Sequence, residues 1–488
     1  MNNNKLTSAK NNSISIIGFT DDQRKAYDSL MSFINKEYTV NDAKRALIGP
    51  AGTGKTYLVK ALIKNCDYAY SQIGLAAPTH KACRVLNESI NLSNIKVNTL
   101  QSDLGLRLNF DIEKFDIDNL PFDPKGRVKI GDYKVYIVDE ASMINKSLLT
   151  FLENKCKEHK CKLILIGDAS QLAPVNELYS SAFKGIKSDS LNQIVRQEDD
   201  NSVKELLNIL RYDIKNKSFN FIKHIMKHKT VFDNNNIKGY KVCNTLTEFN
   251  DILISNFDDP QLTQNVDFVK VIGYTNMAIS GWNKYIRNEI ILDSDKNVLT
   301  KHDLLISYVT IVNQFNEIVL ANSEEYIIDD IVNYTHPTYQ LKGFLCKFTA
   351  IHGGKTTNPL FVLDHKDLFT ITKYVQISNS MIDAAKYAPS RNKAQKWREY
   401  FAFKEECLLL TNISDKNGKI IYSRDLDYGF ALTAHKSQGS TFDTVFVDID
   451  DIVYNKYNQI YSNIEEINRR LYVACSRCKN KLYLKFTK

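Results

Sequence analysis

The run Gly49-Pro50-Ala51-Gly52-Thr53-Gly54-Lys55-Thr56 matches the pattern G-x-x-x-x-G-K-S/T at every fixed position. Such a run can cradle a triphosphate. Backbone N–H groups and a helix N-terminus hold phosphate oxygens, a lysine reaches the β and γ oxygens, and the last hydroxyl ligates Mg²⁺. Lys55 and Thr56 occupy those last two positions. Asp139 and Glu140 close the apolar run Lys134–Val138. In phosphate-loop enzymes the first such carboxylate holds Mg²⁺ and the second polarises the attacking water. Gln171 follows a third apolar run, Lys162–Ile166. Its amide can bond a γ-phosphate or its water and lose that partner on hydrolysis, as a sensor would. A polar turn stopped by Pro174 is the plainer reading of the same segment. Gln23 carries a donor and an acceptor on one amide and can bond the edge of adenine.

These groups need a frame. Arg45–Ile48 predicts a strand and Tyr57–Ile63 a helix, so the Gly-rich run becomes the turn between them. Thr20 predicts the N-cap of an amphipathic helix through Ile34. From 18 to 200, strands and helices alternate, as in a parallel doubly wound sheet. The chemical groups then fall at strand C-terminal ends, where open α/β sheets bind ligands. Strand patterning resumes at Phe268–Asn276, followed by a helix from Met277 to Ile290. It finishes with Thr444–Ile449, Arg470–Arg477 and Lys481–Phe486. Residues 201–266 read as helical, then irregular around Asp233–Asn236.

Two stretches interrupt this scheme. In 101–133, Leu104–Phe110 and Phe115–Ile117 could pair as a β-hairpin, or form a surface loop with Phe110 and Phe115 tucked onto the core. In 300–424, the short strands Glu325–Ile328, Phe344–Phe348 and Leu360–Leu363 suggest a small barrel. A basic, aromatic helical stretch follows: Lys386–Lys393, Lys396–Arg398, Tyr400 and Phe401.

With 488 residues the chain is too long for one core, and domains of ~100–200 residues predict three or four. Hydrophobic residues at 43% and charged residues at 25% suit a soluble globular protein. No run of about 18 apolar residues predicts a membrane span. The polar, Asn-rich residues 1–17 read as a flexible lead-in without a signal-peptide core. The net charge of +8 permits nucleic-acid binding without requiring it. Nine scattered cysteines predict reduced thiols in a cytoplasm. Cys475 and Cys478 form a C-x-x-C, but no second pair completes a zinc site.

The order of these segments resembles the superfamily 1 helicases, in the 5′→3′ branch containing RecD and its Dda-like subgroup. Leu75–Ala82 is similar to motif Ia of that branch. Asn98-Thr99-Leu100-Gln101 stands where the family has T-I/L-H, with Gln101 in place of His. Leu191–Gln197 is similar to motif IV, Ala434–Thr441 to motif V and Arg470–Arg477 to motif VI. From Gln23 to Arg477, the motifs run in family order.

The resemblance implies an α/β fold with two RecA-like domains, built on parallel sheets, and ATP with Mg²⁺ in the cleft between them. It implies a lead-in 1–17, a first domain 18–100 and 134–200, and a hairpin insertion 101–133. A second domain with its linker covers 201–299 and 425–488, and an SH3-like barrel with a helical arm covers 300–424. Lys55, Thr56, Asp139, Glu140 and Gln171 would serve ATP from the first domain. Arg196 and Arg477 would contact the γ-phosphate, and Arg477 would arrive only when the cleft closes. Single-stranded DNA would meet Pro78, Thr79, His80, Thr99 and Gln101 on one side and His435, Lys436 and Ser440 on the other. Gly439 would let backbone approach the nucleotide closely. Gln101 keeps hydrogen bonding but lacks a histidine's charge. Phe110 or Phe115 would stack on the last base pair of a fork. The implied activity is ATP-dependent 5′→3′ unwinding. Protein displacement without efficient unwinding, and action on RNA, are its alternatives. The implied setting is a monomer in the cytoplasm, a host's if the chain is phage-encoded. It would work on single strands and forks, with a single-strand-binding protein as a further partner.

Overall fold

The computed structural model describes residues 18–106, 127–174, 177, 179–193, 202–313 and 317–488. The lead-in 1–17, Phe110, Phe115 and Arg196 lie outside the described residues. No helix among the described residues is long and apolar enough to cross a membrane. The chain forms two compact units. One comprises Met1–Asn250, Asp267–Thr275 and Thr433–Lys488, and the other Asp251–Val266 and Asn276–Leu432.

The first unit holds two sheets. Six parallel strands build one of them: β1 (Lys44–Ile48), β2 (Ile73–Ala77), β3 (Val97–Thr99), β4 (Val135–Val138), β5 (Lys162–Gly167) and β6 (Ser188–Ser190). β2, β4 and β5 are buried along their whole length. Their unbroken apolar runs are what a parallel sheet covered on both faces requires. The order β3-β2-β4-β5-β1-β6 sets the C-terminal ends of β4, β5 and β1 side by side. Ile48 pairs with Gly167, and Val138 with Leu165. The three chemical segments therefore leave the sheet at one edge.

Three helices aim the loops. α1 (Asp21–Asn35) starts at Thr20 with a capping box closed by Gln23. α2 (Lys55–Asn65) starts at Gly54, and α3 (His80–Ile90) at Thr79. Lys162 opens β5 but turns its ammonium to the other end of α1, donating to the carbonyls of Phe33 and Ile34, each at 2.9 Å. A cation there meets the negative end of the helix dipole.

The second sheet uses β7 (Thr230–Phe232), β8 (Gly239–Cys243), β9 (Val269–Gly273) and the strands Phe442–Asp448 and Cys478–Lys485. β9, Phe442–Asp448, Cys478–Lys485 and β8 run parallel in that order; β7 adds an antiparallel edge. The helix Ile464–Ser476, capped by Asn463, delivers Arg477 at its C-terminal end, directly before the last strand.

The second unit carries a five-stranded antiparallel sheet, in the order Leu360–Leu363, Lys342–Ala350, Glu325–Thr335, Leu304–Ser307, Leu426–Tyr428. Leu368–Lys386 and Ser390–Glu406 form its helical hairpin. Tyr374 and Phe403 stack between the two helices, with ring centroids 5.2 Å apart.

The helix Asn276–Ile290 is anchored by Asn283, whose Oδ1 accepts the Ala431 N–H (2.7 Å), and by Arg287, which makes two buried bonds to Asp303, at 2.7 and 2.8 Å. One local expectation changes. Leu104 to Leu106, read as the start of a hairpin strand, form a turn after the short helix Leu100–Asp103. Leu104 is core.

Candidate nucleotide and nucleic-acid site

The Gly-rich turn is shaped by its neighbours. Gly52 and Gly54 adopt φ of +82° and +79°, in the left-handed region that glycine enters without strain. A Cβ on Gly49 would lie 2.8 Å from the Leu191 carbonyl oxygen, and one on Gly54 2.4 Å from Gln23 Nε2. The turn leads into the start of α2, whose first N–H groups lack helical partners and make a cradle suited to an anion. Lys55 Nζ donates to the carbonyls of Gly49 (2.6 Å) and Pro50 (2.9 Å) across that cradle. Phosphate oxygens are stronger acceptors for an ammonium than these carbonyls. This donor set fits a triphosphate.

Gln23 has work inside the protein. Its Oε1 accepts the Thr20 N–H (3.0 Å), and its Nε2 donates to the Thr53 carbonyl (2.9 Å). It braces the phosphate loop from α1. The T-x-x-Q spacing of a capping box is the signal that would have indicated half of this role.

Asp139 and Glu140 follow β4 directly. Asp139 N–H donates to Ala76 O (2.9 Å), and Glu140 N–H donates to Asp139 Oδ1 (2.8 Å). Glu140 sits at φ +51°, a strained conformation for a side chain of this size. Burial raises the Asp139 carboxyl while the Lys55 charge opposes the rise. Burial and then the charge of Asp139 push Glu140 up to about 7, with Arg477 and Lys55 holding it back. Two cations, one from each sheet of this unit, thus act on one carboxyl. A general base must be ionised to work. With Glu140 near 7, kcat/KM for ATP should fall about tenfold per pH unit below that value and level off above it. A flat wild-type profile between pH 5.5 and 8.5 would remove Glu140 from the role of base.

The loop after β5 is tied to the second sheet's elements. Tyr472 donates to Asp168 Oδ2 at 2.7 Å, a buried bond. The Arg469 guanidinium donates to Gln171 O at 2.9 Å. Gln438 Nε2 donates to Gln171 Oε1 at 3.2 Å. Sequence reasoning did not assign Asp168, Gln438, Arg469 or Tyr472. Gln438 and Tyr472 lay inside quoted segments, but their type alone gave no sign of a partner some 270–300 positions away. Arg477 is 4% exposed and donates to Val473 O (3.1 Å), Ser440 O (3.2 Å) and Ser476 Oγ (2.8 Å).

The DNA candidates fall into two loops that meet. Pro78 is buried. Thr79 Oγ1 caps α3 by accepting the Ala82 N–H (3.2 Å). His80 is half-buried, and burial lowers its pKa. Thr99 Oγ1 accepts the Ser102 N–H (3.4 Å). Gln101 is buried, and its Oε1 has no hydrogen-bond partner among the described residues. Across from these, Gly439 has φ +74°, and a Cβ there would lie 3.7 Å from Ala82 Cβ. Backbone conformation therefore calls for this glycine more than crowding does. Ser440 is buried with Oγ unpartnered among the described residues, and Lys436 is half-buried. Burial, helped by the Arg470 charge, pulls His435 down to about 4. At neutral pH it is a neutral ring, suited to stacking or a hydrogen bond rather than an ion pair with phosphate. Arg470 itself lies over the Tyr274 ring, 3.3 Å from its centroid.

The chain is similar to known proteins over most of its length. A family model described as an AAA domain matches residues 20–229. A second, described as a UvrD-like helicase C-terminal domain, matches residues 428–485. An uncharacterised protein of Acanthamoeba polyphaga mimivirus is 25% identical over 95% of this chain and 99% of its own. The ATP-dependent DNA helicase Dda of Enterobacteria phage T4 is 24% identical over 94% of this chain and 97% of its own. Among solved structures, the Pif1 helicase of Candida albicans covers 96% of this chain and 95% of its own, at 18% identity and a TM-score of 0.49.

Proposed function

We propose, from the premise that this chain is an ATP-hydrolysing DNA helicase of superfamily 1 similar to Dda, that it tracks single-stranded DNA 5′→3′ and opens duplex at forks. One observation carries the hydrolysis part of the reading: Lys55 spans the phosphate turn of the first sheet, and the Gln171 loop after β5 is bonded to Gln438, Arg469 and Tyr472, on the second sheet's elements that flank Arg477. A nucleotide gripped by Lys55 would then come within reach of an arginine from the other sheet.

In this reading Glu140 takes the proton of the attacking water, and Lys55 and Arg477 offset charge on the γ-phosphoryl oxygens as the bond breaks. Thr56 Oγ1 and the Asp139 carboxylate would hold Mg²⁺, which supplies further charge neutralisation there. Gln171 reports whether the γ-phosphate is present. Its loop is bonded to Arg469, Tyr472 and Gln438, so a change at the nucleotide pulls on the helix and loop that bear Arg477 and His435. Single strands are held by phosphate contacts and stacking, which tolerate any sequence. Neutral His435, with Thr79, Thr99, Gln101, Lys436 and Ser440, supplies polar and stacking groups of that kind.

Forked substrates with a 5′ or a 3′ tail, in DNA and in RNA, test the reading by strand separation with ATP. Unwinding of the 5′-tailed DNA fork alone is the expected result. Preference for a 3′ tail would overturn the direction, and preference for RNA the substrate.

A further inference from the structure

We infer that Gln438 is a positioning residue for hydrolysis: it fixes which end of the Gln171 amide meets the nucleotide and links that choice to the DNA-facing loop. The inference rests on the helicase reading above. Gln171 is held through its backbone on both sides. Its N–H donates to Asp168 O (3.1 Å), and its carbonyl accepts from Arg469 (2.9 Å). What remains to be set is the side-chain amide. Gln438 Nε2 donates to Gln171 Oε1, and the two residues are 7% and 5% exposed. An amide whose oxygen is taken in this way presents its NH₂ group. Gln171 then meets the nucleotide as a donor. That suits a phosphate oxygen and does not suit taking a proton from water, which leaves the latter to Glu140.

The same residue belongs to the tight loop that holds His435, Lys436 and Ser440. Gln438 N–H donates to His435 O (3.3 Å), and Ser440 N–H to Ser437 O (3.1 Å). The Ser440 carbonyl accepts from Arg477. A strand seated on this loop therefore acts on both Gln438 and Arg477 through a few bonds. A buried polar contact of this kind ties the two loops together, because parting it leaves unsatisfied groups.

A double-mutant cycle on the full chain tests the inference. Gln171→Ala, Gln438→Ala and the double variant are compared for ATP turnover with and without oligo-dT, after each is shown to melt near the wild-type temperature. Each single change is expected to lower DNA-stimulated kcat about tenfold, the size of one lost hydrogen bond in the transition state. The double variant should be no slower than Gln171→Ala. Independent losses that multiply to about a hundredfold would overturn the inference. Gln438→Glu keeps the size but only accepts, so it should turn the Gln171 amide around. The preference for ATPγS over ADP in competition binding should then shrink about tenfold; an unchanged preference would overturn the inference. Wild-type turnover indifferent to oligo-dT would sink the helicase reading instead, while the cycle on basal turnover would still decide the Gln171–Gln438 link.

Discussion

Lys55→Ala all but abolishes ATP hydrolysis in this account, with kcat lowered about 10²–10³-fold, as when a preorganised donor is removed from developing charge. The lysine is the first residue of α2, and its ammonium already spans the turn between the carbonyls of Gly49 and Pro50. No other ammonium stands at this loop among the bonds made there by described residues. The charge also helps hold Glu140 down to about 7. Removing it therefore has a second effect with a definite sign. Any residual activity should need a higher pH, because the Glu140 carboxyl rises when a neighbouring cation is lost. Steady-state turnover with oligo-dT from pH 6 to 9 measures both effects. Retained turnover, or a residual profile moved to lower pH, would refute the role.

Arg477→Ala should cost ~10³–10⁵ in turnover, the range for an arginine that stabilises phosphoryl-transfer charge, while ATP affinity stays within a few-fold. The guanidinium is almost fully buried and bonded to Val473, Ser440 and Ser476. Burial lowers its pKa and the Glu140 charge opposes that, so the pair supports each other's ionised state. Arg477→Lys keeps a charge but loses the planar fork, and should fall between alanine and wild type. Lost ATP affinity with normal turnover would contradict the assignment.

Much of this was open to sequence reasoning because the chemistry is local. Gly49 to Thr56 must be contiguous for a turn to wrap phosphate, and Asp139–Glu140 must end a strand to reach it. Both constraints leave a short, readable pattern. What stayed hidden depends on distant partners. Nothing around Gln23 indicates the Thr53 carbonyl, 30 residues on. Nothing around Tyr472 indicates Asp168, and the Gln171–Gln438 bond joins residues 267 apart. His435 read as a polar DNA group, yet its environment makes it a neutral one. That depends on burial and Arg470, which spacing does not encode. Likewise nothing around Asn283 indicates Ala431, 148 residues on, to which it is bonded.

The central claim is that Lys55 and Arg477 grip one nucleotide together. Trapping of ADP with aluminium fluoride, which mimics the phosphoryl group in flight, measures that directly in the presence of oligo-dT. One ADP retained per chain in the wild type, and none in either Lys55→Ala or Arg477→Ala, is the predicted result. Wild-type trapping in Arg477→Ala would mean that the arginine serves some other place.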